Sequence, residues 1–223
     1  MALLLSAPAF AQEGKQTLIK KTTNFDISGD GTAPEWNRAD WISLEKRRGV
    51  ADYTTRVKLL YSETGIFGLF SCQDVKITAT LKEDFANLWT EDVIEVFFWP
   101  DESVPLYFEY ELSPLNYELA ILVPNMDGTF FGWKPWQYDG DRKTRHATRI
   151  VTKEDGTVTE WRAEFFIPYS LLKPLRNVPP EAGDQWRMNL YRIDYDNASA
   201  AWSWQPVRTN FHNFERFGVI VFE

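Results

Sequence analysis

The stretch Leu88–Trp99, LWTEDVIEVFFW, decides how this chain folds. Val93, Ile94, Val96, Phe97, Phe98 and Trp99 are β-branched or aromatic, residue types that fit a pleated, half-buried surface. The apolar positions run on continuously instead of recurring at every third or fourth place, so the spacing predicts a strand rather than a helix. Glu95 lies inside that strand and is costly to desolvate unless something pairs with it. A salt bridge to Arg192 or Arg162 would offset that cost. Trp89, Glu91 and Asp92 stand at the strand's entrance. A flat ring beside acceptor-rich carboxylates is chemistry that holds a sugar, because the ring packs on the C–H face and the carboxylates accept from hydroxyls.

Further strand-like runs recur outward from this one, at Thr55–Tyr61, Gly65–Cys72, Leu106–Leu112, Tyr117–Val123, Arg145–Thr152, Thr157–Ile167, Trp186–Tyr195 and Arg216–Phe222. Turn residues separate them at Ser62–Gly65, Pro100–Pro105, Asn125–Gly128, Glu154–Gly156 and Pro179–Gly183. Helical signal is confined to one turn at Pro34–Trp41 and another after Pro168. Many short strands without helical crossovers predict an all-β fold: an antiparallel β-sandwich of two packed sheets, jelly-roll or immunoglobulin-like, with one or two short helical turns. Alternation sorts the side chains. Leu106, Phe108, Tyr110 and Leu112 share one face of their strand, and Tyr107, Glu109 and Glu111 share the other. Arg192 continues the apolar face of Trp186, Met188 and Leu190, which predicts a partly buried charge paired with neighbouring carboxylates.

A chain of 223 residues without a Pro/Ser/Gly-rich linker is expected to form one domain over residues 12–223. Aromatic residues make up 16% of it, enough to fill a core and leave rings for a surface. The net charge of −8 excludes nucleic acid as a partner, since phosphates need a basic footprint. One cysteine, Cys72, permits no intrachain disulfide and no thiolate metal site. His146 and His212 are too few for a His-rich zinc site, and no nucleophile motif accompanies them. Residues 1–11, MALLLSAPAFA, read as a signal-peptide remnant ending in an A-x-A cleavage site, so the mature chain is expected to start near Gln12 and to be exported to the periplasm or beyond. That segment is too short to span a membrane.

Taken in order, several segments resemble carbohydrate-binding module family 9 in its stand-alone, secreted form. FDISGDGTAPEWNRADW (Phe25–Trp41) resembles the family's opening segment, and Val57–Asp74 its strand pair ending in an aspartate. LWTEDVIEVFFWPD is similar to its W-x-x-D-x-x-E-x-F strand and TEWRAEFFIPYSLL to its W-x-x-E-x-x-I-P strand. YFEYELSPLNYEL, GDQWRMNLYRIDYD and FHNFERFGVIVF resemble the strands between and after them. The resemblance covers nearly all of residues 16–223. It implies a β-sandwich that binds an oligo- or polysaccharide between aromatic rings, catalyses nothing, needs no cofactor beyond a structural calcium in many members, and acts beside other glycan-degrading enzymes. Residue by residue, it assigns a clamping ring to Trp89, hydroxyl acceptors to Glu95, Asp74 and Glu164, and a second ring to either Trp202 or Trp204, of which alternation is expected to aim only one at the site. The chain departs from the family at Leu106–Leu112. A sugar-reaching arginine is frequent there, whereas this strand carries Glu109 and Glu111, and Arg192 is the candidate replacement cation.

Other features carry weaker expectations. Trp133 and Trp136 could extend an aromatic platform. Asp26 with Asp30, and Asp139 with Asp141, have oxygen spacing that suits calcium. The rival function is a glycoside hydrolase using Glu109 and Glu111, whose separation along a strand falls near that of an inverting carboxyl pair. Expected exposure of both glutamates weighs against it, because one acid must sit in an apolar pocket. A haem-binding sandwich has too few axial ligands to choose from.

Overall fold

In the computed structural model, which describes residues 14–126, 129–136, 139–173, 175–196, 198–208 and 210–223, the stretch 93–99 is a strand with every residue buried. The predicted leader at 1–11, Asp127-Gly128 of one predicted turn and Tyr138 lie outside the described residues. The strands are β1 (Gln16–Lys21), β2 (Ile42–Arg48), β3 (Thr55–Tyr61), β4 (Gly65–Gln73), β5 (Val93–Trp99), β6 (Leu106–Leu112), β7 (Glu118–Met126), β8 (Thr129–Phe130), β9 (Lys134–Pro135), β10 (Arg145–Thr152), β11 (Val158–Pro168), β12 (Gln185–Asp194), β13 (Ala200–Ser203) and β14 (Gly218–Phe222). One short helix, α1 (Tyr169–Leu172), follows Pro168, and a 3₁₀ turn spans Pro34–Arg38, as the sequence suggested.

The hydrogen-bonded order β10-β11-β4-β3-β1-β14-β12-β5-β6-β7-β8 folds back on itself into a sandwich. One sheet holds β10, β11, β4 and β3; the other holds β14, β12, β5, β6 and β7. β1 joins them, pairing through Gln16–Ile19 with β14 and through Lys20 and Lys21 with β3. β2 makes a second junction between β3 and β13. Pairing is antiparallel as expected, except that β1 runs parallel to both neighbours. No short hairpin ties β1 to either partner, so nothing imposes the opposite direction.

Period-two alternation builds the layers. Ile94, Val96 and Phe98 of β5 and Phe108, Tyr110 and Leu112 of β6 point between the sheets, where they meet Val57, Phe70, Trp161 and Phe165, all without exposed surface. Gly68 lies opposite Phe165 on β11 because a Cβ there would stand 2.0 Å from the ring's Cζ. Cys72 is in the same core, as predicted. Arg192 projects into it and is fully buried, more deeply than the sequence suggested. Its guanidinium donates to the Gln73 carbonyl at 2.6 Å, to Asp74 at 3.0 Å and to Asp194 at 2.7 Å, and it lies over the rings of Trp202 and Tyr53. The predicted pairing of Arg192 with neighbouring carboxylates is therefore present.

The outer face of the β4/β11 sheet is covered by the segment that includes Phe25, Ile27 and Trp36. Glu164 projects onto that face. It accepts from the backbone N–H groups of Ser28 (3.1 Å) and Gly29 (2.7 Å) and from the indole N–H of Trp36 (2.8 Å). The residue expected to contact a ligand is thus the anchor of the amino-terminal loop. Substituting it leaves several buried donors without an acceptor, at about 1–3 kcal/mol for each group stranded. Glu164→Ala is expected to lower stability by ~2–4 kcal/mol in denaturant titrations while leaving affinity for any ligand of the opposite sheet within about twofold.

Candidate functional site

The same alternation that sends Ile94, Val96 and Phe98 inward turns Glu95 outward from β5, and turns Glu109 and Glu111 outward from β6. Glu95 lies directly opposite Glu111, and Glu109 lies opposite Phe97 two residues along. The three carboxylates form the acidic floor of a cleft of about 590 Å³, within the range of small-molecule sites. Ile121 of β7 and Ile193 of β12 supply apolar floor. Trp89 and Trp133 line it, meeting edge to face with centroids 5.5 Å apart. The segment after β13 adds Val207, Arg208, Asn210, Phe211 and His212. Phe211 is stacked on Tyr191 at 4.0 Å. Arg48 and Arg208, which also border the cleft, are exposed.

Hydrogen bonds fix the entrance of β5. Asp92 accepts from the backbone N–H of Thr78 at 2.6 Å and of Tyr195 at 2.8 Å. Glu91 accepts from Thr80 and Leu81. The acids beside Trp89 therefore clasp the loop at residues 78–81 and are spent on structure. The Trp89 backbone is held at both ends: its N–H donates to Glu111 and its carbonyl accepts from the Tyr195 hydroxyl at 2.8 Å.

The floor acids are buried, with Glu95, Glu109 and Glu111 retaining 2%, 4% and 1% exposure. The expectation that Glu109 and Glu111 are exposed is wrong, because loops roof the outer face of β6. Burial pushes all three carboxyls up, Glu111 to about 8, and the neighbouring glutamates raise Glu95 and Glu109 further. Glu109 and Glu111 stand side by side, two residues apart on the outer face of β6. The Glu95 salt bridge to Arg192 or Arg162 does not form, since Arg192 pairs with Ile94 in the ladder and faces the inter-sheet core. His212 lies 3.7 Å from Glu109, but burial lowers it to about 4 and leaves it neutral, with Nδ1 2.6 Å from the Tyr107 hydroxyl.

Of the residues singled out in the sequence, Trp89 and Glu95 come together. Asp74 and Arg192 are a buried ion pair in the core, and Glu164 anchors a loop under the other sheet. Trp202 and Trp204 both belong to the inter-sheet core, since residues two apart on an extended chain share a face. Trp133 supplies the neighbouring ring instead, while Trp136 packs against the core and donates its indole N–H to the Leu171 carbonyl at 2.7 Å. Glu109 and Glu111 were visible as a departure but not as floor residues; pairing their outward face with that of Glu95 would have found them. The Val207–His212 segment carried no such signal.

None of the calcium candidates Asp26, Asp30, Asp139 and Asp141 belongs to a three-acid cluster among the described residues, and Asp30 is paired with Arg149. The acidic trio with converging oxygens is Asp74, Asp194 and Asp196. Arg192 bonds the first two, and Asp196 accepts from the Tyr53 hydroxyl at 3.0 Å, so an ion does not fit there without displacing the arginine.

No protein-family model and no curated protein sequence matches the chain. Solved structures do. A candidate carbohydrate-binding protein from Bacteroides uniformis aligns with a TM-score of 0.77 at 15% identity, over 95% of this chain and 100% of that one. A carbohydrate-binding module of family 9 from Caldicellulosiruptor kristjanssonii, solved with cellotriose, gives 0.68 at 15% identity over 94% of each chain. Its glucose complex gives 0.68 at 15% over 94% of this chain and 96% of that one. At such identities the likeness is one of fold: the chain has the β-sandwich fold of family 9, as its motifs implied.

The titrations have opposite signs. The folded floor acids keep protons that the unfolded chain releases above about 4.5, so their contribution to stability is greatest at low pH and is lost as pH rises, toward about 8 for Glu111. His212 stays neutral in the fold but protonates in the unfolded chain below 6.5, so stability also falls as pH drops from 6.5 toward about 4. Glu111→Gln removes that residue's share of the first effect. Its melting temperature is expected to exceed that of the parent by several degrees at pH 8, with about 2–4 °C per kcal/mol, and by little at pH 5. A lower melt at pH 8 would remove this account of the floor.

Proposed function

We propose that this protein is a non-catalytic glycan-binding protein, exported and acting beside enzymes that degrade polysaccharide. The observation that carries the reading is the joint placement of Trp89 and Glu95, with Glu109 and Glu111, in one cleft of a family 9 fold. Trp89 offers a ring face for a sugar's C–H surface, and Trp133 borders it. The carboxyl groups accept from hydroxyls or, where protonated, donate to ring and hydroxyl oxygens. The likeness to a module solved with glucose and cellotriose makes β-linked glucans the first probes. Binding by one stacked ring and a few directed hydrogen bonds belongs in the micromolar-to-millimolar range, about −4 to −8 kcal/mol.

One observation favours the hydrolase reading: burial raises the Glu109 carboxyl well above the usual carboxylate range, the direction a general acid needs. Against it, Glu109 and Glu111 lie side by side on one strand face, whereas a glycosidase sets its acid and its second carboxyl on either side of the scissile bond. Incubation with a panel of plant and microbial glycans is expected to release no reducing ends. Turnover lost in Glu109→Gln would reverse that conclusion.

Titration calorimetry with cellotriose and a glycan array test the binding reading directly. Trp89→Ala is expected to weaken binding by more than tenfold and to shift the melt by no more than a few degrees, since the ring is only partly buried. Full affinity in that variant would place the ligand elsewhere. Calcium is not required for binding in this proposal, so EDTA is expected to leave affinity and melting temperature unchanged.

A further inference from the structure

The three floor glutamates are a buried group of acids on the outer face of β5 and β6. Among the described residues no lysine or arginine nitrogen forms an ion pair with Glu95, Glu109 or Glu111, and Glu109 Oε2 and Glu111 Oε2 are buried without a hydrogen-bond partner. Of the arginines that border the cleft, Arg208 is exposed and forms no ion pair with the floor acids, and the other two are engaged elsewhere. Arg47 donates to Glu45 and to Ser203 Oγ, and Arg48 donates to Ser199 Oγ. We infer that the cleft selects glycans bearing a free amine, a 2-amino sugar whose ammonium group is held among Glu95, Glu109 and Glu111. The inference rests on the glycan-binding reading and specifies its ligand class.

A hydroxyl brings one donor and no charge. An ammonium brings three donors and the missing positive charge, so it can satisfy both orphaned oxygens at once. Once a cation is bound, the carboxyls can ionise where burial otherwise disfavours it. A divalent metal ion fits less well. Such ions draw their oxygens close together, and the acids whose oxygens converge within 4.8 Å are Asp74, Asp194 and Asp196, not the floor glutamates. An ammonium bridges acceptors at hydrogen-bond length and tolerates wider spacing. Trp89 beside the floor supplies the surface that makes the ligand a sugar rather than a bare amine, and its face also favours a neighbouring cation.

The test uses three trisaccharides with the same β-1,4 backbone that differ only at carbon 2: cellotriose, its 2-amino counterpart and its 2-acetamido counterpart. Calorimetry of the full chain at one ionic strength is expected to rank the free amine at least tenfold above both others, the size of effect given by a hydrogen bond to a charged group. In Glu109→Gln/Glu111→Gln the ratio of amine to hydroxyl affinity is expected to fall to within about twofold. Glu95→Gln serves as a second variant should that double substitution fail to fold. A ratio that survives these substitutions overturns the inference. So does equal or weaker binding of the amine; if neutral glycans still bind through Trp89, the glycan-binding reading then stands without it. No binding to any glycan on an array overturns both.

Discussion

The pairing of β5 with β6 in one register is the constraint on which the rest of this structure depends. Because successive side chains leave a strand on opposite faces, one choice of register decides two things at once. It commits Ile94, Val96, Phe98, Phe108, Tyr110 and Leu112 to the space between the sheets, where each is fully buried. It also commits Glu95, Glu109 and Glu111 to the outer face. A slip of one residue would put three carboxylates into an aromatic core, so the inner hydrophobic set holds the acids in place. The site needs no stabilising interactions among its own acids, because the core fixes their backbone.

What converts an outward face into a site is a roof. An acid on an exposed strand face would be an ordinary surface residue. Here the 3₁₀ turn carrying Trp89 and the segment that ends in His212 close over β5 and β6. The roof is tied to the floor by the acids themselves, through the Trp89 N–H on Glu111 and the Tyr107–His212 contact beside Glu109. The apolar lining beneath it, with Phe97, Tyr107 and Tyr191, raises the cost of ionising the floor. Roof, ring and raised acids are therefore one arrangement.

The sequence made the layers legible because the alternation in β5, β6 and β11 is nearly unbroken and needs no tertiary information to read. It missed β1 and β2, whose mixed polar and apolar residues reflect their position as junctions rather than as half-buried faces. At the site, Trp89 and Glu95 were legible because they are six residues apart in sequence, on a 3₁₀ turn and the strand it leads into. Glu109 and Glu111 required knowing which strand lies beside β5, and Val207–His212 required knowing where a long loop returns. The errors at Trp202, Trp204 and Glu164 share a cause. A polar or aromatic residue in a strand looks the same in sequence whether it faces a ligand, a loop or the core.

Two acid clusters in the molecule show how that ambiguity resolves. Around Arg192, Asp74 and Asp194 are fully buried, yet each oxygen has a donor and the guanidinium supplies the counter-charge. The carboxylates of that cluster are satisfied, and breaking it would strand a buried charge. Around Glu95 the acids are also buried, but two oxygens lack donors and no lysine or arginine among the described residues pairs with them. Both sets are buried, so burial does not distinguish structure from site. The difference between the two sets of acids lies in satisfaction: the core carboxylates have donors and a counter-charge from the chain itself, whereas the floor carboxylates with unpartnered oxygens line the cleft, where a group from outside the chain can complete them.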